Sequence, residues 1–161
     1  MMIVTPDIFQ GEIAIGQINQ PDVIARVQWF IDRYEPEYLR LMLGEKLYEE
    51  LMAGLAVEPP EEKWVKLAHR LKMPCACYIY YHFRRDSVSD TAVIGEVLME
   101  AENAIRQSPA KKMVFAWNTM VDEDRRFVGE KYAGTFESYS QSKGMEYDSL
   151  FAYINPILPC I

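Results

Sequence analysis

Apolar residues recur at three- and four-residue steps through most of the chain, the signature of helices with one buried face. Val23, Ile24, Val27, Phe30, Ile31 and Tyr34 define the first stripe, and Pro21 suits its first helical position. Glu35-Pro36 breaks the run, because a residue before proline resists the α region, and a second helix is expected from there. Tyr38, Leu39, Met42 and Leu43 open that helix. Beyond a break at Gly44, Leu47, Tyr48, Leu51, Met52 and Leu55 carry the stripe on. Glu58-Pro-Pro-Glu is a stop, after which Glu61 and Glu62 suit the first turn of a helix striped by Trp64, Leu67, Ala68 and Leu71.

Met73-Pro74 punctuates again. The following CACYIYYHF is apolar around its whole circumference, as befits a helix in the middle of a bundle. Its many β-formers keep a strand open as an alternative over 75–85. From Ser108-Pro109, residues Met113, Ala116, Trp117, Met120, Val121 and Val128 give another helical face. The pattern predicts an all-α protein, a bundle of about five or six helices.

Three stretches do not fit that periodicity. Residues 1–18 alternate weakly and predict an extended N-terminal arm with a turn near Pro6-Asp7. Ser87–Ser108 separates two helices with a stretch of doubtful helicity, longer than the ~12–15 residues a compact domain spends on an unstructured connection. It predicts a long projecting arm over 87–108, with a β-hairpin as one form open to it. Val93, Ile94, Val97, Leu98 and Met99 would be its apolar anchors. Residues 140–161 predict a C-terminal tail in coil, whose Leu150, Phe151, Tyr153, Ile154, Ile157 and Leu158 would form a sticky patch if left bare. That tail is expected to dock on its own domain, 1–139, or on a partner. Phe151, Tyr153, Ile157 and Leu158 are its candidate interface residues.

Length and composition fit one globular domain of 161 residues, half of them apolar. Pro6, Asp7 and Glu12 come too early for a secretory apolar core, and no run approaches the ~18 apolar residues that span a bilayer. A cytosolic setting without membrane is the expectation. Cys75, Cys77 and Cys160 are odd in number and predict free thiols rather than a disulfide or zinc framework. A net charge of −7 argues against specific nucleic-acid binding. The charge is segregated: residues 35–62 hold eight acids against Arg40 and Lys46, whereas residues 63–86 hold six bases against Asp86. Such blocks pair within one molecule or across a head-to-tail contact between copies.

Chemistry is hard to find in the chain. It has no nucleophile elbow, P-loop or dinucleotide fingerprint. His69 reads as a solvated residue and His82 as a hydrogen-bonded core histidine. The Glu-x-x-His pairs of a di-iron bundle are missing, and Asp122-Glu123-Asp124 lacks the spacing of a calcium loop. Ten tyrosines and three tryptophans read as core and interface packing. No catalytic residue, metal ligand or cofactor is expected, and the chain is read as a protein without enzymatic activity.

The stretches IDRYEPEYLRLMLGEKLYEELMAGL, YIYYHFRRDSVSDT and AENAIRQSPAKKMVFAWNTMVD resemble a family of small helical proteins. These are encoded among the structural genes of phages and prophages of gut bacteria. The resemblance runs from about Ile31 to Asp122. It implies a head–tail connector, or adaptor, that forms a homo-oligomeric ring beneath the portal. Implied partners are the portal and the tail-completion proteins, with DNA passing through the ring, and the implied location is the virion, reached through the host cytoplasm during assembly. The alternative is a small helical interaction module that binds a single bacterial partner.

Overall fold

The computed structural model describes residues 2–91, 109–129, 135–140 and 151–154. Among the described residues every stretch that the stripes mark as helical is helical, and there is no strand. Five α-helices lie among the described residues: α1 Pro21–Leu43, α2 Glu45–Ala56, α3 Glu62–Thr91, α4 Pro109–Gly129 and the short α5 Glu137–Ser140. The CACYIYYHF run is the buried middle of α3, with Cys75 through Tyr80 all in the core. α3 packs against α1, α2 and α4. Pairs such as Arg26–Asp86 and Tyr34–Tyr78 set α1 antiparallel to α3. Arg70–Glu123 and Tyr81–Trp117 do the same for α4.

Both prolines expected to end helices lie inside them. α1 runs through Pro36 and α3 through Pro74. A proline inside a helix removes one intrahelical hydrogen bond and disfavours the helix by roughly 3 kcal/mol. Burial overrides that local preference, because the stripe stays in phase across the break. In α1 the buried positions are Val27, Phe30 and Ile31 before Pro36, then Tyr38, Leu39, Met42 and Leu43 after it. In α3, Leu67 and Leu71 lead into Cys75, Tyr78 and Ile79. Asp32, whose carbonyl would have accepted the bond missing at Pro36, is an exposed residue.

Gly44 makes the break expected of it. With φ 76° and ψ 162° it sits where residues with a Cβ are disfavoured. Its N–H closes α1 on the Arg40 carbonyl (2.9 Å), and its own carbonyl starts α2 by accepting from Tyr48 N–H (3.1 Å).

The N-terminal residues are packed onto the bundle rather than held away from it. Two 3-10 turns, Pro6–Ile8 and Gly11–Ile13, fold the segment so that Ile3, Val4, Phe9, Ile13 and Ile15 are buried. The expected turn at Pro6-Asp7 is the first of these. The stretch expected to leave the bundle at Ser87 instead begins as helix, since α3 continues to Thr91. Ser87 is drawn into it by donating its hydroxyl to the Phe83 carbonyl (2.8 Å). Val93, Ile94, Val97, Leu98 and Met99 lie outside the described residues, as do Ile157, Leu158 and Cys160.

Candidate functional site

Two features of the interior go beyond apolar packing: a pair of buried polar groups between helices, and a groove that holds the tail. The first is built by α1 and α4. Asp124 is fully buried, and the Tyr38 hydroxyl donates to its Oδ1. Its Oδ2 has no hydrogen-bond partner among the described residues. Burial pushes the Asp124 carboxyl up to about 7, the Tyr38 bond pulling against that and Glu123 adding to it. On the same side of α1, Glu35 is buried and accepts the backbone N–H groups of Ile3 (3.0 Å) and Val4 (2.7 Å). Burial raises its carboxyl too, against the pull of those two amides. Glu35 therefore fastens the N-terminal segment to α1.

A perturbed carboxyl beside a tyrosine is the kind of arrangement that supports acid–base work. Here Asp124 has no exposed surface, so no substrate atom reaches it in this conformation. The two cysteines nearby are equally withdrawn. Burial pushes the Cys77 thiol up to about 12 and the Cys75 thiol well above its usual range, away from the reactive thiolate. The expectation of free thiols holds for this pair.

The second feature is aromatic. His82 on α3 stacks on Tyr34 of α1 with ring centroids 4.1 Å apart and planes 9° from parallel. Tyr78 and Tyr81 meet it edge-on. It is a core histidine, as expected, but not a hydrogen-bonded one: neither ring nitrogen has a partner among the described residues. Burial, with Arg85 nearby, lowers the His82 imidazole to about 4, so it is neutral at physiological pH. His69, by contrast, is exposed, as its polar neighbours suggested.

Next to this cluster, Phe151 is buried against Trp117 (5.9 Å between centroids), Tyr78 (6.1 Å) and Tyr38 (6.4 Å). The segment 151–154 has no regular structure of its own. α4 grips its backbone with two consecutive side chains. Trp117 Nε1 donates to the Ala152 carbonyl (2.8 Å). The Asn118 amide is bidentate, donating to the Ile154 carbonyl (3.1 Å) and accepting from Ile154 N–H (2.9 Å). Tyr153 is half-exposed; its hydroxyl donates to Asp122 (2.6 Å), and the Arg125 guanidinium lies over its ring.

Of the candidate interface residues within the described part, Phe151 and Tyr153 thus both touch the chain's own domain. Sequence reasoning had not singled out Trp117 and Asn118 as the groove or Tyr38 and Asp124 as a buried pair. Trp117 looked like one more stripe residue, and Asp124 like one of three solvated acids.

A separate depression of about 670 Å³ lies between α2, the start of α3 and α5. Lys46, Glu50, Trp64 and Ser138 are among its lining residues. Ser138 donates to Glu50 there (2.7 Å), and Lys66 pairs with Glu62 (2.7 Å). Among the described residues no cluster of side chains is arranged to hold a metal ion. Comparison with protein-family models, with curated proteins and with solved structures finds no match to this chain.

Proposed function

We propose that this protein is a structural component of a phage or prophage virion, a head–tail connector that assembles as a ring under the portal and carries out no reaction. The observation that carries the reading is where the helices put the two charge blocks. Gly54 of α2 packs on Trp64, which sets the acidic α2 against the first turns of α3. Glu45 and Glu49 on the earlier turns of α2 are exposed. At the far end of α3, roughly 33 Å away at 1.5 Å per residue, stand Arg84 and the exposed Arg85. The bases of α3 run from Lys63 and Lys66, which pair with Glu61 and Glu62, to Arg84 and Arg85; acidic and basic surfaces on one molecule favour a head-to-tail contact, and heterologous contacts of that kind form rings when their rotation closes. The sequence likeness from Ile31 to Asp122 supports the same reading, and an acidic chain lets DNA pass without sticking.

The test is absolute mass by light scattering over a range of concentrations, followed by electron microscopy. A discrete large species that appears as rings is expected. A monomer at every concentration, also in the presence of the neighbouring portal protein, refutes the reading. Substituting Val97→Asp and Leu98→Asp together is expected to abolish assembly while preserving the helical circular dichroism spectrum. The second reading, a module that binds one bacterial partner, is favoured by the way Trp117 and Asn118 hold a peptide segment by its backbone. A stable one-to-one complex with a single host protein would decide for it.

A further inference from the structure

Phe151 and Asp124 share a neighbour. Tyr38 of α1 is fully buried; its ring packs beside Phe151, with centroids 6.4 Å apart, and its hydroxyl donates to Asp124 Oδ1. Trp117 and Asp124 lie on one face of α4, two turns or roughly 10 Å apart. Phe151 fills the space between Trp117 and Tyr38, where α4 meets α1. α4 also holds the rest of the segment, through Trp117 and Asn118 to the backbone and through Asp122 and Arg125 to Tyr153. Residues 151–154 are thus part of the core wall that keeps water out of the α1–α4 seam.

Asp124 is the group in that seam most sensitive to water. An ionised carboxylate needs donors on both oxygens, and Asp124 Oδ2 has none among the described residues. Facing Asp124 are Tyr38 from α1, Cys75 and Cys77 from α3, Tyr139 from α5 and the adjacent Glu123. Glu12 and Glu35 act on the two cysteines, and Arg70 and Arg126 are directed to Glu123 (3.8 and 2.9 Å). With its proton, Asp124 suits this site. Without it, the carboxylate requires water, and water enters only where the seam parts. Burial holds the carboxyl at about 7, so the proton is exchanged near neutrality. Of the elements that close the seam, α1 and α3 are long helices, whereas 151–154 is four residues without regular structure.

We propose that the packing of residues 151–154 is linked to the proton on Asp124: the segment is seated while the carboxyl is protonated and loosens when it ionises, with Tyr38 joining the two. Linkage makes the coupling reciprocal. A seated Phe151 favours the protonated carboxyl, so seating weakens as pH rises through about 7. Equally, removing the Phe151 ring admits water to the seam and lowers the pH at which Asp124 titrates. A fall of about one pH unit corresponds to about tenfold weaker seating on the ionised form. The coupling is a property of one molecule and goes beyond the ring reading, on which it does not depend.

The experiment uses the full chain with its Asp carboxyls labelled with ¹³C, the Asp124 signal being assigned by its loss in Asp124→Asn. Titration from pH 5 to pH 9 is followed in the unmodified chain, in Phe151→Ala and in the milder Phe151→Leu. A midpoint lowered by about one unit in F151A, and by less in F151L, is expected. Leu55→Ala, a core truncation in α2, should leave the midpoint in place. An unchanged midpoint in F151A with its helical spectrum retained overturns the coupling. So does an equal fall in L55A, which would assign the shift to loosening of the whole core. If F151A does not fold, the F151L midpoint decides. The converse is read at the Ile154 N–H, which donates to Asn118 (2.9 Å). Corrected for the intrinsic rate, its hydrogen-exchange protection is expected to fall roughly eightfold between pH 5 and pH 8, and to stay level in D124N. Level protection in the unmodified chain, or an equal fall in D124N, overturns the proposal.

Discussion

Asp124 offers the sharpest test of how the interior is built. Its carboxyl is fully buried, with one oxygen bonded by Tyr38 and the other without a partner. In the unfolded chain it titrates near 3.8, and in the folded protein near 7. Between those values the folded state holds a proton that the unfolded state has released. This stabilisation is fully present below about pH 3.8 and is lost as pH rises through about 7. A shift of about three units, at about 1.36 kcal/mol per unit, sets the loss on the order of 4 kcal/mol by pH 8.

Asp124→Asn keeps the acceptor for Tyr38 and the shape of the side chain but cannot ionise. The groups facing Asp124 are Tyr38 from α1, Cys75 and Cys77 from α3, Tyr139 from α5 and the adjacent Glu123. All of them remain in the variant, so their titration largely cancels in the difference. Urea unfolding followed by circular dichroism, at steps from pH 4 to pH 8, gives that difference directly. The variant is expected to match the unmodified chain within about 1 kcal/mol at pH 4 and to exceed it by ~3–4 kcal/mol at pH 8. Parallel stability curves across this range would refute the reasoning, because a buried, protonated Asp124 cannot produce them.

Three further outcomes follow from named contacts. Gly54→Ala would place a Cβ 2.2 Å from the Trp64 indole, which also stacks on Phe136, so overpacking of ~1–3 kcal/mol is expected despite alanine's better helix propensity. A lower melting temperature with red-shifted tryptophan emission checks it; a stabilised variant would show that the indole yields freely. His82 is neutral with a pKa lowered to about 4, so its contribution is present above about 6.5 and lost as pH falls through 4, a change on the order of 3 kcal/mol. His82→Phe, which keeps the stack on Tyr34, should therefore gain on the unmodified chain between pH 7 and pH 4, and a constant difference in urea midpoint stability would contradict it. Glu35→Ala leaves the Ile3 and Val4 amides without their acceptor and should cost ~2–3 kcal/mol, with faster hydrogen exchange at both amides. Undiminished protection there would mean that the apolar contacts of Ile3, Val4 and Phe9 suffice to hold the segment.

The four long helices were legible in the sequence because each one buries a stripe whose period the chain displays, whereas the four-residue α5 is too short to display one. Leu47, Leu51 and Leu55 or Ala116, Met120 and Val121 could be assigned to a core face without knowing what covers them. The break at Gly44 and the stop at Pro59-Pro60 were equally local, since backbone freedom and a missing donor act within a few residues. Local rules erred where a longer-range term was larger: at Pro36 and Pro74 an in-phase buried stripe outweighs one lost hydrogen bond, and at Ser87 the helix simply continues.

The groove and the polar pairs were decided by tertiary structure alone. Tyr38 and Asp124 are 86 positions apart, and Trp117 and Ala152 are 35 apart. Nothing in the local pattern marks one acid of Asp122-Glu123-Asp124 as the buried one. Helical phase distinguishes them only once it is known that α4 turns Val121, Asp124 and Phe127 inward. Whether a carboxyl is solvated or sealed, and whether an aromatic covers a core or receives a tail, depends on which surfaces meet across the fold. Periodicity specifies the faces of this protein; their pairing fixes its chemistry.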